Sequence, residues 1–138
     1  MKKITVAVVL DDNEGMLLFG KRQSKDRVMI AEFVSSVGEE NIYVSPFSKR
    51  IFENYVSVTY ADNPIEACVD GGACFIENMP LSPYVDSIET LIIYRWNRLY
   101  HSDVKFDLNP EKSGFKLESV SEFQGSSHDR ITKEIYRK

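Results

Sequence analysis

The stretch Ile4-Thr5-Val6-Ala7-Val8-Val9-Leu10, broken at once by Asp11-Asp12, decides how the rest of this chain is read. Seven uncharged residues, almost all apolar and rich in β-branched side chains, are the pattern of a strand buried on both faces. Such strands lie inside parallel sheets that are covered by helices. The abrupt polar end excludes other readings. A membrane span needs roughly 18 apolar residues, and this run, even with Lys2 and Lys3 before it, has neither the length nor the small-residue cleavage site of a signal peptide. A soluble, cytoplasmic protein is expected, with no membrane contact.

The residues that follow alternate helix and strand signals. Met16 to Phe19 is a short apolar stretch closed by Gly20. A first helix is predicted over Lys25 to Val37, with Ser24 as cap, Gly38 as stop, and Ile30, Phe33, Val34 and Val37 on one face. Three later helix starts pair a capping side chain with proline at the first helical position: Ser45-Pro46, Asn63-Pro64 and Ser82-Pro83. Between them lie strand candidates Asn41 to Ser45, Val56 to Tyr60, Ala73 to Glu77 and Thr90 to Trp96. The last third changes to shorter apolar–polar alternations, Val104 to Leu108, Phe115 to Val120 and Ile131 to Arg137, as antiparallel strands with one wet face require. Ile131 and Ile135 also suit a helix. The expected fold class is α/β, with a largely parallel central sheet, flanking helices and antiparallel C-terminal strands, in one domain over residues 1–138.

Composition narrows the function classes. Hydrophobic residues make up 43% and charged residues 28% of the 138, enough for a real core and unlike a disordered chain. A net charge of −4 disfavours nonspecific attachment to nucleic acid or anionic lipid. Cys68 and Cys74 match neither a disulfide framework nor a zinc motif and read as buried free thiols.

Phe106-Asp107, Phe115-Lys116-Leu117, Ser121-Glu122-Phe123 and the closing Glu134-Ile135-Tyr136-Arg137-Lys138 resemble the final strands of dihydrofolate reductases, as the first strand, loop and helix resemble that family's opening. The resemblance implies a reductase-like fold, a substrate-binding carboxylate near Asp26, and phosphates of NADPH held by a glycine-rich strand end and a basic helix start. The last two parts are absent. The matching strand Cys74-Phe75-Ile76 runs into Glu77-Asn78, placing a carboxylate where a phosphate would lie, and Ser45-Pro46-Phe47-Ser48 has no arginine. Cβ-free backbone and a helix N-terminus are what let a pyrophosphate approach. No cofactor is therefore expected, and Gly71-Gly72, before its strand, reads as a turn.

Other constellations are bland by sequence. His101 and His128 stand in polar loops that read as surface turns, and Ser126-Ser127-His128-Asp129 is no triad by adjacency, since the fold assembles triads. Trp96, beside Tyr94, Arg95 and Arg98, suits an interface or an ordinary strand equally. The segments leaving the carboxyl ends of the parallel strands, where α/β sheets bind their ligands, carry Asp11, Asp12, Glu14, Asp62 and Glu77. With Asp26 these form the candidate partner-binding set. A small acidic protein on a worn enzyme fold resembles the immunity proteins of bacterial toxin systems such as contact-dependent growth inhibition. That resemblance implies a non-catalytic inhibitor whose acidic face meets a basic toxin domain. The alternative is a divergent reductase, or other nucleotide-binding enzyme, using Asp26 in the same cleft.

Overall fold

A computed structural model describes residues 2–138. The strands in chain order are β1 (Ile4–Leu10), β2 (Gly15–Leu18), β3 (Lys21–Arg22), β4 (Ile42–Val44), β5 (Thr59–Tyr60), β6 (Ala73–Phe75), β7 (Ile88–Arg95), β8 (Val104–Lys105), β9 (Lys116–Phe123) and β10 (Ile131–Arg137). Seven form one sheet in the order β5-β4-β6-β1-β7-β10-β9. The β1 strand lies at its centre, parallel to both β6 and β7, and β4 runs parallel to β5 and β6. Only β10 reverses: it is antiparallel to both β7 and β9, so β9 again runs with β7. The expected fold class is the observed one, and Ile131–Arg137 is a strand. Among the described residues no helix is long and apolar enough to cross a membrane.

The uninterrupted apolar run of β1 is explained by its position, because both of its faces are covered. Val6, Val8 and Leu10 enter one core with Leu91 and Ile93 of β7, while Ala7 enters the other with Ile92 and Tyr94. A one-residue slip between β1 and β7 would exchange these sets, so the two cores lock the register. The second core is closed by helix α1 (Arg27–Val37), which buries Met29, Ile30 and Phe33. Phe33, wholly buried, meets Phe75 at 5.5 Å and Phe52 at 6.3 Å between ring centroids. A separate antiparallel sheet, β3-β2-β8, folds the loop after β1 back over the end of the main sheet.

Several local expectations change. The cap of α1 is Asp26, not Ser24, and the helix begins at Arg27: a carboxylate accepts from the Val28 and Met29 N–H groups, both at 3.0 Å. Of the three proline-led starts only Asn63 caps with its side chain, accepting from the Glu66 N–H at 3.1 Å and opening the short α2 (Pro64–Ala67). Pro46–Phe52 and Ser82–Ser87 are 3-10 helices without a side-chain cap. In the second the N–H groups of Leu81 and Ser82 donate to Asp107 instead. Gly71 has φ 82° in a turn, as its position implied. Cys68 and Cys74 are free and buried. The edge strand β9 is exposed at seven of its eight positions.

Phe33→Ala is expected to cost about 3–5 kcal/mol and Ile30→Ala about 2–5 kcal/mol, read as a lower urea midpoint at unchanged slope. Unchanged midpoints would mean that α1 does not close this core.

Candidate functional site

At the carboxyl ends of the parallel strands the polar groups gather in two knots, each tied by a buried acid. The first is Asp26. Its side chain is fully excluded from water, yet besides the two helix N–H groups it accepts from the N–H of Ser126 (3.0 Å) and of Ser127 (2.9 Å), and faces Nδ1 of His128 at 3.1 Å. Burial pushes its carboxyl pKa up, but the bonds from Ser127, Ser126, Met29 and His128 outweigh this and hold it well below the usual carboxylate range. Gly125 is required here: a Cβ at that position would lie 2.2 Å from Oδ2 of Asp26. On the far side of the His128 ring, Nε2 meets the hydroxyls of Ser24 (3.2 Å) and Tyr100 (2.9 Å). Trp96 stacks on the ring at 4.3 Å with planes 19° apart.

The second knot is Glu77. It takes a two-pronged pair from Arg22, with Nε to Oε2 at 2.8 Å and Nη2 to Oε1 at 2.9 Å, and it accepts the Ser48 hydroxyl at 2.6 Å. Arg22 also donates to the Phe47 carbonyl at 3.1 Å. The strand end at Glu77 and the segment Ser45–Ser48, the two places where the reductase resemblance puts phosphates, are thus bonded to each other through Ser48, with Arg22 tying both.

These placements correct the acidic face. Asp11 is fully buried and organises its own loop, accepting from the N–H groups of Asn13 and Gly15 at 2.8 and 2.7 Å, from Tyr100 N–H at 3.2 Å and from Gln23 at 3.0 Å. Asp26 and Glu77 are buried and spent as described. Glu14 is exposed but paired with Arg95 at 2.7 Å. Only Asp12 and Asp62 are exposed and, among the described residues, outside any ion pair. Their strands, β1 and β5, are separated by β6 and β4, roughly 14 Å at three strand spacings. Burial decides this, because a carboxylate so placed must be fully bonded. His128 is corrected likewise, being buried and no surface turn; of the two readings open for Trp96, its burial removes the exposed interface anchor, while His101 is exposed.

The open space beside the knots is positive. A cleft of about 480 Å³ is lined by Lys25, Arg27, Arg50, Ile30, Ile51 and Tyr55, with Glu53 its one other acid besides Asp26. A second groove beside it is lined by Lys21, Arg22, Ser24, Phe47 and Arg50. Among the described residues Lys21, Lys25, Arg27 and Arg50 form no ion pair. No signal in the charge total could reveal this, since a net −4 averages over the whole surface.

Because its folded pKa is depressed, Asp26 contributes stability above the pKa near 4 of an unfolded carboxyl, and that contribution is lost as pH falls below this value. Asp26→Asn is expected to lower stability at pH 7 by about 2–4 kcal/mol and to flatten the loss between neutral pH and acid. Gly125→Ala should cost a similar amount through the same knot. Urea unfolding at pH 7 and at about pH 2.5, inside the window where the contribution is lost, checks both. An Asp26→Asn variant as acid-sensitive as the parent would place the titrating group elsewhere.

The chain matches no protein-family model, and no curated protein sequence matches it significantly. Among solved structures it is similar to a dihydrofolate reductase from Enterococcus faecalis, solved in complex with NADP(H) and RAB-propyl. The TM-score is 0.66 at 11% identity, over 97% of this chain and 95% of that one. At that identity the likeness is one of fold alone, and the fold of this chain is dihydrofolate-reductase-like.

Proposed function

We propose that this chain acts by binding an anionic ligand or an acidic partner segment at its cationic cleft, and not as a nicotinamide-dependent reductase. The observation that carries this reading is the closed crevice: Glu77, Ser48 and Arg22 are bonded to one another where a dinucleotide needs bare backbone. A dinucleotide phosphate entering there would meet a carboxylate, and breaking a buried ion pair by removing one partner costs several kcal/mol. Asp26 supports the same reading, because all of its bonding capacity is used internally and none is left for a pterin.

The occupant is argued from the lining. Lys25, Arg27 and Arg50 ring a floor of Ile30, Ile51 and Tyr55, which suits a flat or apolar body carrying carboxylates or phosphates. The exposed acids of the candidate set, Asp12, Glu14 and Asp62, on which an inhibitor of a basic toxin domain would rely, are not part of the cleft lining. A divergent reductase is the second reading, favoured by the likeness to a reductase solved with NADP(H). It requires the Arg22–Glu77 pair to open.

Calorimetric titration with NADPH separates the readings. No saturable binding is expected, and a dissociation constant at or below about 10 μM, equivalent to roughly −7 kcal/mol, would overturn the proposal. With citrate or inorganic pyrophosphate as probe, a salt-sensitive rise in melting temperature is expected in the parent chain and should vanish in Lys25→Glu/Arg50→Glu.

A further inference from the structure

The hydrogen bonds around His128 run in one line from a hydroxyl to a carboxylate: Ser24 Oγ to Nε2 at 3.2 Å, and Nδ1 to Asp26 Oδ2 at 3.1 Å. The tautomer follows from the neighbours. An ionised Asp26 only accepts, and Ser127 Oγ, 3.2 Å from Nδ1, gives its own proton to the Lys25 carbonyl at 2.7 Å. Nδ1 therefore carries a hydrogen, and in the neutral ring Nε2 presents its lone pair toward Ser24. Trp96 fixes the plane of the ring, and the donors on Asp26 fix the carboxylate. Nucleophile, base and orienting acid thus stand in the relation that activates a serine. Ser24 is half-buried and lines the groove that Lys21, Arg22 and Arg50 also line.

We propose that Ser24 is the nucleophile of an acyl-transfer site, with His128 as general base and Asp26 as its positioning residue, acting on carboxylic esters or thioesters that carry an anionic group. In the first step the Ser24 Oγ–acyl bond forms and the ester C–O or thioester C–S bond breaks. The serine proton passes to Nε2 and on to the departing alcohol or thiol. Water then attacks the acyl-serine, its proton taking the same route back to Ser24, and the acid leaves. Nothing is oxidised or reduced, and water is the only co-reactant. Lys21, Lys25 and Arg50, which line the same groove and form no ion pair among the described residues, are the cations that would offset the charge of a tetrahedral oxyanion. Tyr100 OH, 2.9 Å from Nε2, competes for the single lone pair, so it slows the attack while it stays there. The anionic preference rests on the cleft reading above, whereas the nucleophile does not.

The test treats the full chain with diisopropyl fluorophosphate, a neutral probe that needs no anion site, and maps the adduct by peptide mass spectrometry. One adduct is expected on Ser24, absent in Ser24→Ala, formed about 100-fold or more slowly in His128→Gln, and faster in Tyr100→Phe. No adduct on the folded parent chain overturns the proposal, as does one on Tyr100, Ser126 or Ser127. An unchanged rate in folded His128→Gln also overturns it. If that variant fails to fold, the parent and Ser24→Ala still decide. Hydrolysis of 4-nitrophenyl hydrogen succinate in preference to 4-nitrophenyl acetate is the expected substrate choice, and the reverse preference removes the anionic class while leaving the nucleophile.

Discussion

Asp26 begins helix α1 and, across 100 positions of sequence, holds residues 125–128 against it, and both tasks depend on a carboxylate that is ionised while shut away from water. An unpaired charge in that position would cost several kcal/mol, so its environment must supply donors in number. Two come from the helix, two from the backbone of Ser126 and Ser127, and one from His128. Each imposes something further: a glycine at 125 for close approach, a defined tautomer for His128, and Trp96 as the wall behind the ring. The end of the sheet where ligands bind in α/β folds is shaped by how that one acid is satisfied.

A second buried acid repeats the logic with a different outcome. At Glu77 the donors are an arginine from β3 and a serine from the 3-10 helix after β4, so satisfying the charge draws three segments together and shuts the space between them. The cations left over, Lys25, Arg27 and Arg50, then face a cleft with little acid to balance them. The chain is acidic overall and basic at its opening, because its carboxylates have been taken inward there.

Much of the architecture is legible from residue order. The β1 run, the alternation that follows it and the change of period in the last third all report local burial, which period and composition encode directly. The strand reading of Ile131–Arg137 needs the fold, since Ile131 and Ile135 fit either period. The cap of α1 shifts by two residues because Ser24 and Asp26 both qualify by type, and only the distant loop at 125–128 selects between them. The site is less legible for the same reason. Asp11 and Glu77 look like exposed charges, and a sequence gives no sign of the Tyr100 amide or the Arg22 side chain that buries each of them. The Ser24–His128 contact spans 104 positions, beyond any local pattern.

The separation of those partners also bears on how the chain is made. Synthesis delivers α1 long before residues 125–128, so the emerging helix has its own cap but not the loop that completes it. The β7 strand likewise emerges with β1 already synthesised but β10, the partner for its other edge, still to come. Both pairings wait for the last residues to be made, and long-range contacts of this kind slow folding. Until the last hairpin arrives, the nascent chain shows an unpaired strand edge and a half-solvated acid to its surroundings, the kind of surface that chaperones hold and that drives misassembly when they do not.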